Sequence, residues 1–125
     1  MRTFGTGKRT FDHKEYETIA IETIKDFIEN TTYEYPDRVA YMYKNSHRED
    51  FRELTYGDFR EMMDAMGTAM IHMGLKGAKI AVIGENSYRW ALSYFTTVCG
   101  VGVVVPIDKN LMAEEVANLL NRAEF

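Results

Sequence analysis

From Tyr16 to Thr31 the apolar residues fall at Tyr16, Ile19, Ala20, Ile24, Phe27 and Ile28, with Glu17, Glu22, Lys25, Asp26 and Glu29 between them. That spacing gathers the apolar side chains into one stripe of a helix and leaves the charges outside it. Pro36-Asp37 marks a turn. Arg38 to Lys44 then reads as a strand, Asn45 to Asp50 as a polar hairpin loop, and Phe51 to Thr55 as a second short strand. Thr55 or Asp58 starts the next helix, which runs to about Met73 with Phe59, Met62, Met63, Met66, Met70 and Met73 on one face. Gly74 and Gly77 bracket its end, as a C-terminal cap and turn require.

Lys79 to Ile83 is a short apolar run rich in β-branched residues, followed by the turn Gly84-Glu85-Asn86-Ser87, where Asn86 or Ser87 serves as helix N-cap. A helix to about Cys99, a strand from Val101 to Ile107 and a last amphipathic helix from Met112 to Glu124 complete the pattern. Strand, helix, strand with runs apolar on both faces predicts a parallel βαβ unit at about residues 79–107, its strands buried on both sides. The fold class is α/β, with helices packed on a partial, mainly parallel sheet.

Trp90 to Ile107 holds eighteen residues and no charge, which reaches the lower length for a membrane-spanning helix. Gly100, Gly102 and Pro106 interrupt it, and Val101 to Val105 is β-branched except at Gly102. A buried helix running into a buried strand fits better. No apolar stretch follows Arg2, Lys8 and Arg9, so no signal peptide is read. The expected location is cytoplasmic.

At 125 residues the chain amounts to about one domain. Fifteen Lys and Arg against nineteen Asp and Glu give a net charge of −4, which excludes a nucleic-acid binder working through a basic stripe. Residues 1–60 carry 22 of the 34 charged residues, while Asn86 to Ile107 carries only Arg89. The first part is therefore a solvated outer layer and the later part interior.

Each candidate for chemistry has a plainer explanation. Gly5-Thr6-Gly7-Lys8-Arg9-Thr10 hints at a phosphate loop, but Arg9 stands where magnesium needs a hydroxyl and no strand precedes. It reads as a mobile terminus. Gly100-Val101-Gly102 lies after a helix and before a strand, the reverse of a dinucleotide turn, and suits tight helix–strand packing. The Gly84 turn has the right order for phosphate but one glycine only. His13, His47 and His72 lack partners at ligand spacing, and His47 to Asp50 reads as a loop tip. Cys99, the single cysteine, could pair with a distant histidine as a nucleophile, but it sits in the most apolar stretch and reads as a small buried residue. The methionine stripe reads as core. Glu114 and Glu115 do not face each other on a helix and suit its first turn. No catalytic, cofactor-binding or metal-ligating residue is assigned.

In their order, Arg38-Val39-Ala40-Tyr41, Leu54-Thr55-Tyr56-Gly57-Asp58-Phe59, the helix ending at Gly74, Lys79 to Ser87 with Trp90, and Gly100 to Asp108 with Leu111 resemble the beginning of an AMP-forming acyl-CoA synthetase. The resemblance covers roughly Tyr16 to Phe125. The Gly-Glu-Asn-Ser turn and Pro106 to Leu111 look closest to bacterial long-chain fatty acid ligases, whereas Lys109-Asn110 departs from peptide-synthetase adenylation domains, which usually have proline soon after that aspartate.

The resemblance implies a flexible N-terminus at 1–15 and, over 16–125, the N-terminal part of a large adenylate-forming domain, truncated here. It implies a parent enzyme that activates a fatty acid with ATP and magnesium and passes the acyl group to coenzyme A. The family's phosphate loop, adenine segment, ribose-binding aspartate and C-terminal lysine have no counterpart in these 125 residues, so the piece alone is expected to be inactive, without cofactor. Two alternatives stay open: a stand-alone α/β binding or assembly module, and a piece of another carboxylate-adenylating enzyme. Exposed sheet edges lead us to expect self-association.

Overall fold

The computed structural model describes residues 20–125. The glycine-rich N-terminal string, His13 and the start of the first predicted helix lie outside them. In chain order the elements are α1 (Ile24–Glu34), β1 (Val39–Tyr43), β2 (Arg52–Thr55), α2 (Tyr56–His72), β3 (Lys79–Ile83), α3 (Tyr88–Thr96), a π turn (Thr97–Val101), β4 (Val103–Ile107) and α4 (Ala113–Arg122).

The strands form two separate two-stranded sheets. β1 and β2 are an antiparallel hairpin with a register shift between Val39 and Tyr41. β3 and β4 run parallel, Lys79 opposite Val103 and Ile83 opposite Ile107, joined through α3. The α/β class and the βαβ unit at 79–107 are thus as expected.

The helix starts follow from caps. Thr23 Oγ1 accepts from Asp26 N at 3.0 Å and Asp26 Oδ2 accepts from Thr23 N at 3.1 Å. This capping box starts α1 at Ile24, so residues 20–22, expected in the helix, lie outside it. At the other end α1 passes Thr31 and continues to Glu34, closed by Tyr35 N donating to Thr31 O at 3.1 Å, while the Thr31 and Thr32 hydroxyls donate to the carbonyls of Phe27 and Ile28, both at 2.8 Å. Of the two candidates for the start of α2, Thr55 is the cap and Asp58 its reciprocal partner, at 3.1 and 3.0 Å. Ser87 rather than Asn86 caps α3. α2 ends as predicted, with Gly74 at φ 83° and the bonds Gly74 N to Ile71 O and Leu75 N to Met70 O, the two linkages of a Schellman motif.

The core sits between the hairpin and α1, α2 and α3: Ile28, Leu54, Phe59, Met63 and Leu92. Tyr41 and Phe95 flank Phe59 at ring-centroid distances of 5.2 and 6.3 Å. Met63 belongs to this core and Met62 and Met66 pack against it, whereas Met73 is 73% exposed.

Two expectations are corrected. The chain does not pass straight from helix into strand: Thr97–Val101 forms a π turn that buries Val101, and β4 begins only at Val103. Nor are the parallel strands buried on both faces. Val82 and Ile107 are buried, but Ile83 is 49% and Val103 58% exposed, because one side of a two-stranded sheet has little helix to cover it among the described residues. No described helix is long and apolar enough to cross a membrane.

Candidate functional site

In open α/β sheets, ligands bind outside the carboxyl ends of the parallel strands, where two strand-following loops diverge. Here those loops are Gly84–Ser87 after β3 and Asp108–Leu111 after β4, with α3 starting between them. They border an open crevice of about 580 Å³, with Glu85, Asn86, Trp90, Asp108, Lys109 and Asn110 in its wall.

Local bonds hold both loops. Asp108 Oδ1 accepts from Asn110 N at 2.9 Å and from Asn110 Nδ2 at 3.0 Å, an Asx turn that shapes the second loop. Ser87 Oγ accepts from Trp90 N at 3.3 Å, and the Trp90 ring stacks on Tyr94, 5.4 Å between centroids at 18°. Lys109 Nζ donates to Glu85 Oε1 at 2.9 Å and links the two loops. That hydrogen bond, and the charge behind it, hold the Glu85 carboxyl below its usual range.

The crevice has Trp90 in its wall, with two carboxylates, Glu85 and Asp108, and one cation, Lys109. Lys109 is paired with the Glu85 carboxylate, and Asp108 is held by its own Asx turn. Among the described residues no three His, Cys, Asp or Glu side chains converge to hold a metal. With its one lysine paired to Glu85 and Asp108 beside it, the crevice offers no free cation to a magnesium triphosphate.

The other sequence candidates lie apart. Cys99 lines a cavity of about 230 Å³ between α1, α2 and the π turn, with Lys25, Glu29, Arg60 and Asp64 at its rim and no histidine. Burial raises the Cys99 thiol, Glu29 raises it further, and Lys25 and Arg60 oppose the shift. His47 is on the exposed hairpin loop and His72 in the last turn of α2. Glu115 is a structural group: its Oε2 accepts from Met112 N at 2.8 Å. Gly102, not Gly100, is the tight packing point of the Gly-Val-Gly string, since only Gly102 has neighbours that a Cβ would strike. The loop-linking pair Glu85–Lys109 was missed in the sequence, where 24 residues separate its members and nothing local joins them.

The fold is shared with solved structures. It superimposes on the N-terminal subdomain of NpsA from Klebsiella oxytoca with TM-score 0.68 at 20% identity, over 83% of this chain and 26% of that one. With IdnL1 the TM-score is 0.72 at 15% identity, over 85% of this chain and 22% of the other. Residues 28–125 match the AMP-binding enzyme family, and the chain belongs to that family. Among curated relatives, the mitochondrial medium-chain acyl-CoA ligase ACSF2 of Pongo abelii is 28% identical over 102 residues, 81% of this chain. Those residues make up only 16% of that ligase.

Proposed function

We propose that the chain is the amino-terminal layer of an acyl-CoA ligase. In this reading the parent joins a fatty carboxylate to ATP, releases pyrophosphate and transfers the acyl group from AMP to the thiol of coenzyme A. The similarity to an acyl-CoA ligase across four-fifths of the chain carries the proposal. The Gly84–Ser87 turn and the string Pro106 to Leu111 support a long-chain acid as substrate.

ATP, magnesium and coenzyme A are then held by residues beyond these 125. The chain's own part is structural. α3 and the parallel pair position two loops and Trp90, and the exposed Lys109–Glu85 pair bridges the loops.

The test extends the reading frame past the codon for Phe125 and assays the product for acid-dependent pyrophosphate release and acyl-CoA formation. Acids should run from short to long, with aryl acids alongside. Long-chain acids are expected to give both products, and the 125-residue chain alone neither. Activity with aryl acids only would favour an enzyme like NpsA, whose structure has been solved in complex with 3-hydroxyanthranilyl-AMSN. A frame that stops at Phe125 would favour a stand-alone binding module.

A further inference from the structure

Few contacts hold α1 to the rest of the fold. Of its eleven residues, Ile28 and Thr32 alone are buried. Among the described residues, its main-chain hydrogen bonds stay within the helix and its caps. The hydroxyls of Thr31 and Thr32 turn back on the helix's own carbonyls. One ion pair crosses to α2, Glu29 with Arg60 at 3.6 Å, and the same guanidinium lies closer to Asp64, at 3.1 Å. A half-exposed pair of this kind contributes at most about 1 kcal/mol. Between α1, α2 and the π turn lies the cavity of about 230 Å³, lined by Lys25, Ile28 and Glu29 of α1 and by Cys99 and Val101 of the turn. Side chains that border a void lack packing partners on that side, so this contact gains less dispersion energy.

The carboxyl end of α1 is anchored instead. Tyr35 leaves helical geometry, at φ −131° and ψ 49°. Just past it, the Pro36 carbonyl accepts from Gly57 N at 2.8 Å and the Arg38 carbonyl accepts from Tyr56 N at 2.9 Å. Gly57 comes so near that a Cβ there would stand 3.1 Å from the Pro36 oxygen. The chain is thus pinned to the start of α2 immediately after the helix. Ile28 is the one residue of α1 in the core cluster.

We propose that α1 is a flap: it swings as a unit about Tyr35–Pro36, opens the cavity and uncovers the Cys99 thiol, while α2, α3 and both sheets stay folded. Elements that bury little apolar surface open at a lower free energy than global unfolding. Ile28 is the latch, because its departure from the core is what opening costs. In the closed state burial raises the Cys99 thiol, so its reaction proceeds through the open state. The inference concerns the packing of this chain alone and stands whether or not the ligase reading holds.

Labelling of Cys99 in the 125-residue chain tests it, at fixed pH and at urea concentrations well below the unfolding transition. Two reagents are compared, iodoacetamide, which is small, and the bulkier aromatic disulfide dithiobis-nitrobenzoate. With the second, the thiolate attacks one sulfur, a mixed disulfide forms and one thionitrobenzoate leaves. Each rate is divided by that of the same chain unfolded in urea. The flap predicts that both reagents are slowed equally and that the rates change little with urea. Ile28→Ala should speed labelling by about tenfold or more. Ile107→Ala, which starts from the same 8% exposure but lies in β4, should lower the urea midpoint by a similar amount and leave native labelling nearly unchanged. Where an alanine variant does not fold, the milder Ile28→Val and Ile107→Val must show the same contrast. Labelling as fast as in the unfolded chain, a bulky reagent slowed far more than the small one, no acceleration by Ile28→Ala, or equal acceleration by both variants would overturn the proposal.

Discussion

Gly102 passes Ala78 so closely that a Cβ on it would stand 2.1 Å from the Ala78 carbonyl oxygen, with the Ala78 carbonyl carbon and nitrogen each at 3.1 Å. All three are backbone atoms. The same oxygen accepts from Val103 N at 2.9 Å, where the parallel pair begins. Nothing there can give way as a flexible side chain would. Gly102→Ala should therefore cost about 3 kcal/mol or more. Gly84→Ala, whose Cβ would meet only Trp90 Cδ1 at 3.9 Å, should stay within about 1 kcal/mol. Urea denaturation of the two variants side by side measures the difference.

The capping box of α2 predicts a mutational and a pH effect. Thr55→Ala should lower stability by about 1 kcal/mol. The Thr55 backbone amide, and then its hydroxyl, hold the Asp58 carboxyl below the usual range. A carboxylate so depressed contributes fully above its unfolded value, and the contribution is lost as the pH falls below about 4 through its folded value. Asp58→Asn should flatten that acid limb in a series of thermal melts and leave its shape above about pH 6 unchanged.

Phe59 is 3% exposed and joins the hairpin to the helices through Tyr41 and Phe95. Truncation there leaves a cavity with aromatic walls that cannot collapse onto it. Phe59→Ala should cost about 3–5 kcal/mol, a large part of the stability of a small domain. Loss of the cooperative melting transition, or a steep drop in its midpoint, is the expected observation.

For Cys99, burial and then Glu29 raise the thiol, so the reactive thiolate is scarce near neutral pH. Alkylation by iodoacetamide should be slower in the folded chain than in urea, with a pH midpoint above that of a free cysteine. Glu29→Gln removes the second cause and should move that midpoint down. A midpoint unchanged by this substitution would leave burial as the sole cause.

Where a residue acts through its near neighbours, the sequence is legible. The hairpin, α2 with its glycine stop, and the strand–helix–strand unit all declare themselves through local spacing and turn residues. The apolar stripe of α1 continues upstream of Thr23 and so predicts too early a start; the box formed with Asp26 outweighs that stripe. The π turn at Thr97–Val101 has no spacing of its own, and Val101 has the branched side chain of a strand residue. The apolar runs of β3 and β4 predict cover on both faces, and the described residues supply only part of it, with Ile83 and Val103 exposed. At the crevice, the two strand-following loops are bridged by Glu85 and Lys109, a long-range pairing that no local pattern announces.

Division of the strands into two isolated pairs leaves a mark on backbone dynamics. Among the described residues, each of the four strands has a hydrogen-bonding neighbour on one side only. Successive amides in a strand point to opposite sides, so every second one is turned away from its partner strand. Deuterium should therefore enter β3 and β4 in an alternating rhythm, one amide slow and the next fast, while α2, with each interior amide bonded four residues back, resists exchange along its length.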